Sequence, residues 1–112
     1  MGVRISKLRM GSMVLTSKQR AHLRGLANDM PAIIQVGKGG VSDNLIRQID
    51  TALEARELIK VRLLQNVDDD PEELARGLAN VTGSEVVQRI GKVIVLYRPS
   101  KENPGKGGIA DL

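Results

Sequence analysis

The sequence predicts a two-layer α/β domain, with three helices over one face of a four-stranded mixed sheet. Three observations carry this expectation. Apolar residues recur at helical spacing in three segments and as alternating or short continuous runs in four others. The two kinds interleave in the order α-β-α-β-α-β-β. Strands separated by a helix should run parallel through right-handed crossovers, whereas the last two are joined by only two residues and must be antiparallel.

Each element has its own local signal. Thr16-Ser17-Lys18-Gln19 reads as a capping box, a Thr cap with Gln three residues later. Leu23, Leu26 and Ala27 then give a first helix over 17–28 its apolar face, and Pro31 prevents its continuation. Ala32–Val36 is a mostly apolar run and reads as a buried strand. After Gly37-Lys38-Gly39-Gly40, Ser42 caps a second helix over 42–56 with an apolar stripe of Leu45, Ile46, Ile49, Ala52 and Leu53. Its charged positions, Asp43, Arg47, Asp50, Glu54 and Glu57, are expected in solvent.

Leu58–Leu64 alternates, with Ile59, Val61 and Leu63 on one face and Lys60, Arg62 and Leu64 on a wetter one. That wetter face, with Arg89 joining it, is the reason one side of the sheet is expected to stay partly open. Asp70 as cap, Pro71 at the first helical position and Glu73 three after the cap make a strong third helix start. Leu74, Leu78 and Val81 supply its stripe and Gly83 its left-handed stop. Glu85–Ile90 and Val93–Arg98 form a hairpin whose Gly91-Lys92 loop suits a type II′ turn. Residues 1–13 are expected to be a disordered N-terminal extension, 14–99 the domain and 100–112 a flexible C-terminal tail.

Composition excludes several kinds of function. The 112 residues contain no cysteine and one histidine. Disulfide scaffolds, thiolate metal sites, cysteine nucleophiles and multi-histidine metal sites are therefore ruled out. No run of apolar residues is long enough to span a membrane, and no secretory signal follows the basic start, so a cytoplasmic location is expected. Net charge is +4, distributed unevenly: Arg4, Lys7, Arg9, Lys18, Arg20 and Arg24 all precede the first acid, Asp29. Such a basic end suits a polyanion. Met13 is an alternative start, and a chain from there loses Arg4, Lys7 and Arg9 and most of that excess.

The most informative segment is strand, Gly37-Lys38-Gly39-Gly40, helix. Glycine lets a ligand approach the main chain closely. The N–H groups at a helix start are unpaired and the helix dipole adds positive character there. With Lys38 these make a phosphate cradle, although a strand-to-helix turn needing glycine for its own geometry has the same sequence. It is neither a Walker loop nor a full dinucleotide fingerprint, since Ser42 stands where a third glycine belongs. What remains is a Gly-x-x-Gly loop, the device by which KH domains clamp a nucleic-acid backbone. Arg20 and Arg24 on the first helix, and Lys60 and Arg62 on the sheet, supply basic neighbours that could equally serve solubility. Tyr97 is the sole Phe, Trp or Tyr residue, so stacking of bases on several aromatic rings is excluded and any RNA binding is expected to rely on phosphates, sugar hydroxyls and shape. Neither His22 nor the acidic run 68–73 sits in a catalytic or metal-ligating pattern.

Several blocks resemble the YhbY family, the bacterial stand-alone CRM domain: Leu15-Thr16-Ser17-Lys18-Gln19, His22-Leu23-Arg24-Gly25-Leu26-Ala27, and Val36-Gly37-Lys38-Gly39-Gly40-Val41. So do Glu57-Leu58-Ile59-Lys60-Val61-Arg62, Thr82-Gly83, and Val87-Gln88-Arg89-Ile90-Gly91-Lys92 leading to Val95-Leu96-Tyr97-Arg98-Pro99. The match covers about 14–102. It implies a fold similar to the C-terminal domain of translation initiation factor 3. It also implies a non-enzymatic, cofactor-free RNA-binding protein whose partner is structured RNA, namely large-subunit rRNA or pre-ribosomal particles. The RNA surface it implies is Gly37, Lys38, Gly39 and Gly40, with Lys18, Arg20, Arg24, Lys60 and Arg62 as neighbours. No metal, membrane or small-molecule substrate is expected. The rival reading is a protein-interaction adapter on the ribosome that does not use the glycine loop. A small enzyme acting on a phosphorylated substrate lacks an identifiable base and nucleophile.

Overall fold

A computed structural model describes residues 15–105, apart from 38 and 66. The expected 1–13 extension, residues 106–112 and Lys38 lie outside the described residues. In chain order the elements are α1 (Ser17–Ala27), β1 (Ile34–Val36), α2 (Asp43–Arg56), β2 (Leu58–Leu63), α3 (Pro71–Thr82), β3 (Glu85–Ile90) and β4 (Val93–Tyr97). The α/β class, the element order and the mixed four-stranded sheet are those expected. Strand order is β1-β2-β4-β3, with β1 parallel to β2 and β4 antiparallel to both its neighbours. The last strand therefore inserts at the centre, and β1 and β3 form the edges.

The caps work as the sequence indicates. The Gln19 N–H donates to Thr16 Oγ1 at 3.0 Å, and the Thr16 N–H donates to Gln19 Oε1 at 2.9 Å. Ser42 Oγ accepts from the Leu45 N–H at 3.1 Å, and Asp70 accepts from Glu73 at 3.1 Å. Gly83 ends α3 at φ +70°. Gly91 has φ +58° while Lys92 is not among the residues of positive φ, the pattern of a type II′ hairpin.

The layering differs from the expectation. Ile34, Val36, Ile59, Val61, Leu63, Ile94 and Leu96 pack against α2 and α3 on one face. On the other face, Leu23 and Ala27 of α1 pack against Leu58, Val87, Val95 and Tyr97. The helices thus lie on both sides of the sheet, and α1 covers much of the face expected to be open. The physical reason is β4: its apolar run leaves Ile94 and Leu96 on one side and Val95 and Tyr97 on the other, all buried, and both sides need a cover. Two stripe residues also depart from expectation, since Leu26 and Val81 are exposed.

A second difference concerns acids expected in solvent. Glu57, at φ +67°, is fully buried. Its carboxylate accepts the Ser100 N–H at 2.5 Å and the Gly105 N–H at 2.9 Å. Glu54 accepts Ser100 Oγ–H at 2.6 Å and the Lys101 N–H at 2.9 Å. Asp50 pairs with Arg98 at 2.6 Å, and Arg98 also donates to the Thr82 carbonyl at 2.8 Å. Hydrogen bonding to the body of the fold therefore continues through Gly105, past the boundary expected at 99. A polar, proline- and glycine-containing segment needs no apolar burial when carboxylates take up its main-chain donors.

Candidate nucleic-acid interface

β1 ends at Val36 and the chain turns at once into α2. The Gly40 N–H donates to the Gly37 carbonyl at 2.9 Å, closing the turn. Gly40 has φ +66°, a conformation that disfavours side chains, so the fold itself requires glycine there. Gly37 and Gly39 are different. Neither has positive φ, a Cβ on Gly37 would make only ordinary contact with Leu64, and one on Gly39 would meet nothing within 4 Å. The turn leads directly into the first turn of α2, whose leading N–H groups carry the positive end of the helix dipole. Asp69 tempers this field, because its carboxylate lies 3.5 Å from where a Gly40 Cβ would be. The acidic run near it was readable as helix capping, and Asp70 does cap α3, but the position of Asp69 beside the turn depends on how two loops meet.

The structure divides the basic neighbours into two groups. Lys60 and Arg62 alternate with Val61 and Leu63, so they share the α1 side of the sheet with Leu58. Arg62 pairs in register with Gln35, which is exposed on the same face of β1. Gln35 is two residues before Gly37, so Arg62 lies about 7 Å along the strand from the turn. Among the described residues, no ion pair engages either Lys60 or Arg62. Gln35 was not singled out from the sequence; the register with Arg62 is what brings it to the site.

The residues of α1 form the second group. Arg20 donates through Nη1 to the carbonyls of Val86 and Val87, the latter at 3.4 Å. These carbonyls sit where a bulge between Val86 and Gln88 breaks the β3–β4 register. Arg20 therefore anchors α1 to β3, the edge opposite the glycine turn and about 14 Å from β1 at ordinary strand spacing. Lys18 is exposed in the same turn of α1, and Arg24 is half-buried in the last turn. Arg89 leaves the group altogether: it lies on the α3 side, with Nε 3.0 Å from Glu72 Oε1.

Tyr97 is buried against Leu23 and Ala27, so its ring offers no stacking platform. Burial first, and the Glu57 carboxylate second, push its phenol above the ordinary value of 10. Among the described residues no cluster of three His, Cys, Asp or Glu side chains could hold a metal ion, and no helix is long and apolar enough to cross a membrane.

Comparison with known proteins agrees with the fold. The family model described as the CRS1 / YhbY (CRM) domain matches residues 15–98. "Probable RNA-binding protein YqeI" of Bacillus subtilis is 54% identical over 90 residues, covering 80% of this chain and 94% of that protein. An "RNA-binding protein" of Haemophilus influenzae is 33% identical over 88 residues, 79% of this chain and 89% of its own. The solution structure of SAV1595 from Staphylococcus aureus, presented as a candidate RNA-binding protein, superposes with a TM-score of 0.69 at 57% identity. That match covers 80% of this chain and 94% of the other.

Proposed function

The chain belongs to the CRS1 / YhbY (CRM) domain family, and from that premise we propose that it is a non-enzymatic protein that binds structured RNA. Its target in this reading is large-subunit rRNA or pre-ribosomal particles, in the cytoplasm. The glycine turn and the start of α2 hold a phosphate, Lys38 adds charge, and Lys60 and Arg62 orient the neighbouring backbone. One observation carries the reading: two of the three described glycines in the turn have no steric or dihedral reason to be glycine, yet lie beside two cations that make no ion pair among the described residues. Small residues there suit the close approach of a ligand backbone. The α1 cations play a lesser part, since Nη1 of Arg20 is committed to the sheet.

Equilibrium binding to structured large-subunit rRNA, over a salt series and with DNA controls, tests this directly. Each phosphate contact adds about 0.7–0.9 to the slope of log affinity against log salt. Lys38→Glu and Arg62→Glu should each weaken RNA binding at least tenfold, by about 1.4 kcal/mol or more, and lower that slope while the domain stays folded. Unchanged affinity in both folded variants would remove the turn from the interface and favour a protein-interaction adapter.

A further inference from the structure

We propose that the groove between α2 and the free edge of β1 binds a single-stranded RNA segment continuing from the glycine turn. This rests on the reading of the turn as a phosphate site and extends it from backbone holding to base contact. Among the described residues β1 is an edge strand with no outer neighbour, and α2 returns antiparallel to it, so the helix overhangs that edge. The space between them is about 630 Å³. Its floor is aliphatic, made by Ile33, Ile34, Ala52 and Ala55. Asn44, Gln48 and Thr51 line the helix side at steps of four and three, one face of α2. Arg47 and Arg56 are the charged residues of the lining, which contains no acid.

Position, charge and chemistry favour the same occupant. Asn44 is in the first turn of α2, immediately after the glycine turn, and the lining extends to Arg56 at the other end of the helix. That length is about 18 Å along the helix axis. A strand whose phosphate sits at the turn is thus led into the groove without crossing other surface. Amide side chains can pair with base edges, and guanidinium planes can stack on base faces, which is what single-stranded recognition requires where aromatics are lacking. An added peptide strand is a poorer fit, because β1 offers only three residues of ladder. A second groove, between α3 and β3, mixes Arg76 with Glu85 and lies at the sheet edge away from the turn.

The test compares an rRNA hairpin with the same hairpin carrying a short single-stranded tail, using the full chain. A single base stacked or seated in the groove should make the tailed RNA bind about tenfold more tightly. Thr51→Glu and Ala55→Glu place an acid on exposed helix positions compatible with the fold. Each should abolish the gain from the tail and leave hairpin binding intact, and Gln48→Ala should flatten any preference among tail sequences. A tail that adds nothing, or a gain that survives both acidic variants, overturns the proposal. So does an NMR titration in which an acidic peptide, and not the tail, shifts the amides of Ile33, Thr51 and Ala55. Arg62→Glu separates the two levels: it should weaken both RNAs alike. If neither it nor Lys38→Glu weakens either RNA, the reading of the turn fails; if it weakens both RNAs while the tail is inert, only the groove fails.

Discussion

The two ends of α2 are both rich in polar groups and have opposite fates. At its C-terminal end, Glu57 is wholly buried and Arg98 has a side chain only 6% exposed. Asp50, Glu54 and Glu57 meet an arginine and the main-chain donors of residues 100–105. At its N-terminal end, Gly39 has open space around it and Arg62 is exposed beside the turn. Charge density alone does not separate the two regions. What separates them is how far the hydrogen-bonding capacity of the charged groups is consumed inside the fold: at the C-terminal end both terminal nitrogens of Arg98 are engaged and its buried Nε alone has no partner among the described residues. The first end is an internal clamp, and the second is available to a ligand.

That contrast predicts that damage at one end costs stability and at the other costs binding. The largest effect is expected from Arg98→Ala, which strands carboxylates and the Thr82 carbonyl in the clamp. Arg98 is buried but the Asp50 side chain is 48% exposed, so the cost is at most the low end for a fully buried pair, about 3 kcal/mol. For a domain of this size that upper limit lowers Tm by about 12–24 °C. Urea titration should show the loss, while RNA affinity of the folded fraction should stay at the wild-type value. A loss below about 1 kcal/mol, the level of a surface pair, would mean that this end is no clamp.

Arg20→Met should come next, at about 1.5–2 kcal/mol for a charge-assisted hydrogen bond to the bulge. Its salt slope for RNA should be unchanged; a slope lower by one phosphate contact would return Arg20 to the interface. Gly39→Val probes the opposite end. Urea titration should place its stability within about 0.5 kcal/mol of wild type, as at surface positions. RNA binding should fall about tenfold, or 1.4 kcal/mol, and wild-type affinity in this variant would show that nothing approaches the turn closely.

The smallest effect sharpens the clamp through pH. Tyr97 has a phenol held above 10 by burial and by Glu57, so the folded state keeps its proton where the unfolded chain would release it. Its contribution to stability is fully present below pH 10 and is lost as pH rises through the folded-state value. Tyr97 is the single tyrosine, so tyrosinate absorbance follows this group alone. Tyr97→Phe should remove that part of the alkaline stability loss, and an equal loss in the variant would assign it elsewhere.

Much of the fold was legible because its signals are local. The Thr16–Gln19 box, the Ser42 and Asp70 caps, Gly83 and the Gly91-Lys92 turn each act within a few residues, and each works as its sequence indicates. The position of α1 was not legible, because the decisive signal lies elsewhere in the chain, in the two buried faces of β4. The glycine turn was legible from spacing, as were Lys60 and Arg62 from alternation. The engagement of Arg20 Nη1 with the bulge was not, since a bulge is a mismatch between two strands and neither strand alone displays it.

The sequence by itself determined the α/β class, the element order and the Gly-x-x-Gly turn with its two nearby strand cations. These follow from periodicity, capping and glycine placement, which are properties of neighbouring residues. The tertiary structure alone decided which charges remain available. It brought Asp69 to the turn, buried Glu57 under Ser100 and Gly105, joined Arg98 to Asp50, and set α2 over the edge of β1. The physical reason is that desolvation and hydrogen-bond satisfaction depend on what packs against a group, and those partners come from distant parts of the chain.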